Sequence, residues 1–292
     1  MGMTREVIER LGPGDEERLD GFLADHSDSS MFLRSNWRLA GLADRGGRLE
    51  GTYAAAVEDG AIVAVAAHYG NGMIALQAPA GRAGMLAGEV ARVTGRPVKG
   101  LVGPYGQVVD AREALGLAGR ATAIDSREDL FALELEALVV SAALRDRRVV
   151  CRRAAAGDLE AAVGWRVAYS IEALGSQASP ELEAEERRSI GEGIARRELW
   201  LLVDPGGAPL AMSAVNARLP DCVQVGGVYT PPALRGRGHG GDVVAGQLLE
   251  LRAEGVRRSV LFTNHDNDPA VRAYQRLGFV RVGDYGIVLF AG

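Results

Sequence analysis

Cysteine is scarce in this sequence of 292 residues, with only Cys151 and Cys222 present. Two thiols exclude a disulfide framework and a four-cysteine zinc site, and leave room for at most one bridge. They are expected to be buried, reduced thiols of a cytosolic chain. Long hydrophobic runs are also missing: no apolar stretch reaches the ~18 residues of a membrane-spanning helix. The opening residues MGMTREVIER carry acids and lack an apolar core segment, so no secretory signal is expected and the expected compartment is the cytoplasm. An excess of positive charge is absent as well. Lys and Arg number 33 against 38 Asp and Glu, a formal net charge of −5. That balance argues against general attraction to nucleic acid or an anionic membrane and leaves only a local basic patch open. What is present is the mixture of a globular protein, 47% hydrophobic and 24% charged, which excludes disorder of the whole chain. At roughly 150 residues per domain the length suggests about two domains.

Hydrophobic periodicity and turn residues divide the chain into two runs of similar order. Residues 5–50 read as helical with breaks, Asp15 capping a helix through Leu19, Phe22 and Leu23. Strands follow at 52–58, 61–69 and 72–78, separated by Asp59-Gly60 and Gly70-Asn71-Gly72. A helix at about 83–94, a strand at 98–102, a helix at about 106–115 and a strand at 130–140 complete the first run. The charged stretch Arg145–Arg148 is the expected linker. The second run opens with a strand at 149–153. Asp158 is expected to cap a helix that stops at Gly175, and Ser179-Pro180 to open another. Strands at 198–203, 209–217 and 221–229 precede a helix at 239–254. A strand at 257–263, a helix at 269–277 and a strand at 285–290 follow.

One segment carries most of the chemistry. From Val228 to Asp242 a strand ends, Pro231 and Pro232 stop the ladder, and a glycine-rich basic loop opens a helix. Gly236, Gly238, Gly240 and Gly241 have no Cβ, so their backbone amides can approach a ligand closely. The helix start near His239 adds unpaired N–H groups and the positive end of a dipole. Together these form a pyrophosphate cradle, with Arg235 and Arg237 adding charge. Past the helix, Val244, Leu248 and Leu251 share one face that packs on a sheet. The next helix, with Asp268 as cap and Pro269 in its first turn, aims Tyr274 inward. Gly226-Gly227 in the preceding strand marks a bulge or a close backbone approach.

The order of these pieces resembles the acyl-CoA-binding core of the Gcn5-related N-acetyltransferase (GNAT) superfamily. The loop pattern of that family, Gln/Arg-x-x-Gly-x-Gly/Ala, is matched by Arg235-Gly236-Arg237-Gly238-His239-Gly240. Its second pattern is matched by Asn267, Ala270, Tyr274 and Gly278-Phe279. The two motifs span residues 222–279, and the element order extends the resemblance over about 149–292. The resemblance implies an acyltransferase that uses acetyl-CoA as acyl donor, without a metal. It implies that backbone N–H groups from Arg235 to Gly241 bind the CoA pyrophosphate. It further implies that Val228, Tyr229 and Thr230 pair with the pantetheine arm through their main chain, and that Asn267 hydrogen-bonds that arm. The Val228 amide becomes the oxyanion donor, and Tyr274 the acid that protonates the departing thiolate. A base is less defined. Glu172 is the candidate; Gln224 stands where related enzymes often carry an acid and cannot act as a base; His239 and His265 remain open. Trp165 and Tyr169 are candidates to line the acceptor cleft.

The expected fold class is α/β, with two tandem GNAT-like domains, each a mixed, mostly antiparallel central sheet flanked by helices. Residues 1–145 form a degenerate copy without CoA motifs, since Pro79–Gly84 lacks the loop spacing and no Asn…Tyr…Gly-Phe set follows. Residues 146–292 form the acetyl-CoA-binding domain. The expected reaction is transfer of acetyl to the primary amine of a small molecule by direct attack in a ternary complex. The expected partners exclude nucleic acid and membrane, and the protein is a monomer or homodimer. Two alternatives stay open: a CoA-binding regulatory or partner-binding module without turnover, and a peptide N-terminal acetyltransferase.

Overall fold

Turn chemistry and alternating burial build the strands of this protein, whose computed structural model describes residues 6–291. Among the described residues all twelve strands belong to one sheet, in the order β1-β2-β3-β4-β5-β12-β6-β11-β10-β9-β8-β7. This overturns the expected pair of tandem GNAT-like domains, because the two runs of elements do not close separate sheets. The physical reason lies in two strands whose extents the local patterns missed: the one expected at 130–140 starts earlier but stops at Glu134, before a 3-10 turn at Leu135–Ala137, and the one expected at 285–290 starts earlier, at Val280. β6 spans Thr122–Glu134 and β12 spans Val280–Phe290, and both sit in the interior of the sheet order. By contact density the chain nevertheless has two compact units: residues up to Leu130 with those from Gly283 onward, and Phe131–Val282. The charged stretch Arg145–Arg148, expected to be a linker, lies inside the second of these, partly in the short helix α5 (Ala142–Arg145).

The first unit opens on β1 (Glu6–Leu11), an antiparallel partner of β2 (Gly51–Glu58) where a helix was expected. Val7, Ile8 and Leu11 also fit one face of a helix, so the local pattern was ambiguous; pairing with a strand more than forty residues away decides it. Helices α1 (Glu16–Ala24) and α2 (Met31–Ala40) follow. Asp15 makes no cap bond into α1; its carboxylate accepts the Gly12 N–H and pairs with Arg18. Asp59 and Gly60 both have positive φ, 49° and 84°, the geometry of a type I′ hairpin. They join β2 to β3 (Ala61–Tyr69), which leads through Gly72 to β4 (Met73–Gln77). The alternate faces of β2 and β3 feed two cores. Ala54, Ala56, Ala64 and Ala66 face Leu86 and Val90 of α3 (Ala83–Thr94), while Tyr53, Ala55, Val65 and Ala67 cluster with Leu19, Leu23 and Leu33. β5 (Gly100–Pro104), α4 (Tyr105–Ala114) and the end of β12 complete the unit, β12 pairing antiparallel with β5.

The second unit follows its expected order closely. β7 (Val150–Arg153) leads to α6 (Leu159–Leu174), which Gly175 ends in the left-handed region at φ 67°. Asp158 makes no cap bond into α6; it accepts the Ala155 N–H and pairs with Arg152. α7 (Pro180–Ala195) starts as expected, with Ser179 Oγ accepting the Leu182 N–H. The meander β8 (Leu199–Val203), β9 (Pro209–Arg218) and β10 (Cys222–Tyr229) leads into α8 (His239–Ala253). Val244, Leu248 and Leu251 of α8 are fully buried in a core with Trp200, Val223 and Leu261. Burial of each such side chain contributes about 2 kcal/mol. α8 also crosses β7 closely enough that a Cβ at Gly246 would stand 2.2 Å from Cys151 Cβ. β11 (Arg258–Asn264) and α9 (Asp268–Arg276) follow. The cap of α9 is Asn267, not Asp268: Asn267 Oδ1 accepts the Ala270 N–H at 3.3 Å. Neither cysteine is in a disulfide. Among the described residues no helix is long and apolar enough to cross a membrane.

Candidate functional site

The site is built around the parting of two parallel strands. β10 and β11 pair from Cys222↔Arg258 to Val225↔Leu261, and then β10 runs on to Tyr229 and β11 to Asn264 outside that ladder. On its other edge β10 pairs with β9 through two irregularities. Between Gln224↔Ala217 and Val225↔Val215 the extra residue is Asn216 of β9. Between Gly226↔Ala214 and Tyr229↔Met212 the excess is on β10, and Gly227 and Val228 fall out of register. Gly227 sits at φ 60°, the left-handed residue that such a bulge places on glycine. Gly226 has a separate reason to be glycine: a Cβ there would lie 2.1 Å from Asn216 Nδ2. The Gly226-Gly227 pair thus marks the bulge, and it takes the Val228 backbone amide out of the β9 ladder.

After Tyr229 and Thr230 the two prolines lead into a single 3-10 turn, Pro232–Leu234. The glycine loop follows. Gly236 and Gly238 have φ values of 77° and 86°, and Gly238 is the residue from which α8 starts. Gly240 and Gly241 are different. A Cβ at Gly240 would make ordinary contacts with Thr230 and Val228, and one at Gly241 would meet nothing within 4 Å. Neither backbone strain nor a neighbour in the chain requires glycine there. His239, the first residue of α8, has its Nδ1 buried without a hydrogen-bond partner among the described residues. Arg237 is exposed beside it, and Asp242 lies buried in the first turn, where its charge suits the helix dipole. An orphaned ring nitrogen, two glycines without a packing reason and the unpaired N–H groups of a helix start fit a diphosphate-bearing acyl donor.

Arg235 does not point away into solvent as a simple counter-charge. Its Nε donates to the Thr230 carbonyl at 2.9 Å, and its Nη2 lies 2.5 Å from Glu172 Oε2 at the end of α6. Tyr229 donates its hydroxyl to the other oxygen of Glu172 at 3.1 Å. The Arg235 guanidinium, followed by the Tyr229 hydroxyl, holds the Glu172 carboxyl below the usual carboxylate range. Burial and the adjacent Glu172 push the Tyr229 phenol up. Trp165 stacks obliquely on Tyr229, their centroids 6.5 Å apart. Next to Trp165 on α6, Arg166 donates from Nε to the buried Glu186 of α7 at 3.0 Å and lies over the Tyr169 ring at 4.9 Å. Glu186 also accepts the Ser170 hydroxyl.

Tyr274 is buried on α9 in the core that contains Val225 and Leu261, with its ring edge-on to Phe279 at 6.0 Å. Its inward aim matches the expectation from its spacing. Asn267 precedes it as the helix cap. Gln224 is buried mid-strand with Oε1 lacking a partner among the described residues. His265 is exposed in the turn between β11 and α9. The chain therefore places the glycine loop, the bulge, Glu172, Trp165 and Tyr169 around one end of β10. Sequence reasoning passed over three residues of this region: Asn216, Glu186 and Arg166. A charged residue one position from an expected cleft aromatic, and an acid with helix spacing in the facing helix, were the available signals for the last two.

With this geometry in view, the comparisons with known proteins fall on the same stretch. Residues 165–279 match the model of the Acetyltransferase (GNAT) family. The matched GNAT segment contains the bulge, the glycine loop, Glu172, Asn267 and Tyr274, and agrees with the expectation of an acyltransferase. Over 65 residues the chain is 40% identical to a mycothiol acetyltransferase of Corynebacterium glutamicum, 22% of each protein. The curated relatives it matches are covered over less than a third of their own length. Over its whole length the fold is similar to a Drosophila protein of solved structure, with TM-score 0.66 and 13% identity, 98% of this chain and 99% of that one being covered. It is also similar to a GCN5-related N-acetyltransferase of Sphaerobacter thermophilus, with TM-score 0.56, 16% identity and coverage of 98% and 96%. Identities this low speak for the fold alone.

Proposed function

We propose that the protein transfers an acetyl group from acetyl-CoA to the primary amine of a small molecule, by direct attack in a ternary complex. The observation that carries this reading is the parting of β10 and β11 beside the bulge at Gly227, with the glycine loop and the start of α8 at the end of β10. The GNAT family match over the same residues supports it, and the similarity to a mycothiol acetyltransferase supports acetyl as the group transferred.

In this reading the main chain does most of the binding. Loop and α8 N–H groups from Arg235 to Gly241 hold the diphosphate, while His239 Nδ1 gives the site one more polar atom. Val228, Tyr229 and Thr230 offer the ladder positions that β11 leaves beyond Val225 to the pantetheine arm, as an edge strand accepts an added strand. Asn267, whose Oδ1 is committed to its helix, serves that arm through its amide. Acetyl-CoA supplies the activated acyl group as a thioester. The Val228 N–H donates to the acyl carbonyl oxygen as negative charge grows there, which a fixed donor stabilises without reorganisation. Tyr274 delivers the proton to the leaving sulfur.

The acceptor amine must reach the bulge as a free base. Glu172 is poorly suited to take its proton, because Arg235 and Tyr229 occupy both carboxylate oxygens and lower its basicity. Deprotonation through water is the reading consistent with that pairing. The test is an acceptor screen with detection of free thiol, run beside calorimetric titration with CoA. CoA binding with thiol release dependent on an amine is expected. CoA binding with no release from any acceptor would turn the reading into a binding module, and no CoA binding would end it.

A further inference from the structure

We infer that Arg166 anchors a carboxylate of the acceptor, so that the substrate class is an α-amino acid or a similar small molecule carrying both an amine and a carboxylate. The inference rests on the acetyltransferase reading above and adds to it the identity of the acceptor.

Arg166 is fixed from behind and open in front. Its Nε donates to Glu186 Oε2 at 3.0 Å, and its guanidinium plane lies 4.9 Å over Tyr169. The Glu186 side chain is 9% exposed and that of Arg166 26%, so the pair is mostly shielded while the fork remains within reach of a small solute. The two terminal nitrogens have no acceptor among the described residues. Nη1 lies 3.3 Å from where a Cβ on Gly227 would stand, which brings the fork to the bulge that orients the Val228 amide.

The acids close to this fork are already used. Glu186 gives one oxygen to Arg166 Nε and the other to Ser170. Glu172 gives its two oxygens to Tyr229 and Arg235. No carboxylate oxygen in this cluster is left for the terminal nitrogens. A guanidinium held at Nε presents its other edge as a planar two-donor fork, and a carboxylate is the group that fits it. Asn216, whose amide lies against Gly226 on the neighbouring strand, adds a neutral polar group to the bulge. A carboxylate gripped by Arg166 would hold an α-amine, two bonds from the carboxyl carbon, on the side of the bulge where the acyl carbonyl is read to sit.

The experiment follows thiol release from acetyl-CoA with the proteinogenic α-amino acids, their carboxamides and the corresponding decarboxylated amines. CoA affinity is measured in parallel. Charge-assisted hydrogen bonds of this kind predict a preference in kcat/KM of about 10- to 150-fold for the carboxylate form. Arg166→Gln should abolish that preference by raising KM, with CoA affinity unchanged, and Arg166→Lys should keep part of it. The double variant Arg166→Gln/Glu186→Gln, which leaves no unpaired buried acid, should behave as the single one does. Equal use of carboxamides, retention of the preference in Arg166→Gln, or acceptance of decarboxylated amines but of no amino acid would each overturn the inference and leave the acetyltransferase reading standing. Failure to bind CoA would remove that reading, and the inference with it.

Discussion

Arg235 and Glu172 are joined beside the end of β10, guanidinium Nη2 to carboxylate Oε2 at 2.5 Å. The contact ties the loop after β10 to the last turn of α6, and Tyr229 completes it through the second carboxylate oxygen. A carboxylate so occupied steadies a loop better than it collects protons.

Glu172→Gln is therefore expected to lower turnover by less than about tenfold, against the ~10²–10⁴-fold loss that removal of a general base causes. The acidic limb of the rate profile should stay where it is, since the low-lying Glu172 carboxyl is already ionised across that range. A loss beyond a hundredfold in a folded protein, with displacement of that limb, would instead restore Glu172 as the base.

Tyr274→Phe keeps the ring that meets Phe279 edge-on and removes only the hydroxyl. Thiol release should fall by about 10²-fold or more, while thermal stability and CoA affinity change little. Steady-state kinetics with calorimetry separate the two effects. Full activity in the variant would remove the phenol from the mechanism.

Gly238 and Gly241 should respond in opposite ways to alanine. At φ 86° an alanine at 238 is strained by about 1 kcal/mol, and the melting temperature should fall. At 241, where a Cβ meets nothing, alanine should stabilise the helix by about 0.5–1 kcal/mol. Both should weaken CoA binding. A Gly241→Ala protein that binds CoA as well as the parent would mean that the diphosphate does not approach this turn.

The Asp158 carboxyl is held below its ordinary value first by the Arg152 guanidinium, with the Ala155 N–H assisting. A depressed folded-state pKa stabilises the fold above the unfolded value of about 3.9 and is lost as pH falls through the folded one. Arg152 is partly exposed, so screening limits the effect to about 1 kcal/mol. Asp158→Asn should be less stable than the parent at pH 7 in urea titrations, and the gap should close as the pH drops below 4. A gap that persists at low pH would assign the effect to hydrogen bonding alone.

Cys151 lies under α8, its thiol donating to the Val243 carbonyl, and burial pushes it up to about 12. Cys222 is buried in β10. In the native protein at pH 8 neither should react quickly with a thiol reagent, while both should do so in denaturant. Fast labelling of one thiol in the native state would show a local opening at β7 or β10.

Much of this architecture was legible in the sequence, and what was not has a common physical cause. Asp59-Gly60, Gly175 and Ser179-Pro180 each fix a turn or helix end through local chemistry, and the structure places them where local reasoning does. The bulge at Gly226-Gly227 and the inward face of Tyr274 belong to the same class. β1 was hidden because Val7, Ile8 and Leu11 suit a helix face as well as a strand, and only the remote β2 selects between them. The single sheet was hidden for the same reason: no local pattern reveals that Tyr285 will face Pro104 across a ladder. Asp158 and Asp268 were misread as caps because an acid before a helix has other partners, here Arg152 and, for Asp268, Arg272. Arg166 escaped notice because its meaning depends on Glu186, twenty residues on in the facing helix.

The divergence of β10 from β11 has a further consequence for how selectivity is distributed. If the donor arm is held by peptide groups, as proposed, it is gripped by atoms that every residue possesses, and exchanging the side chains of Val228 or Thr230 should have little leverage over affinity. Discrimination would then be pushed outward to the two extremities of the donor. At one end shape would decide which acyl tip is admitted, and at the other the curl of the glycines would decide whether a doubly charged headgroup can turn the corner.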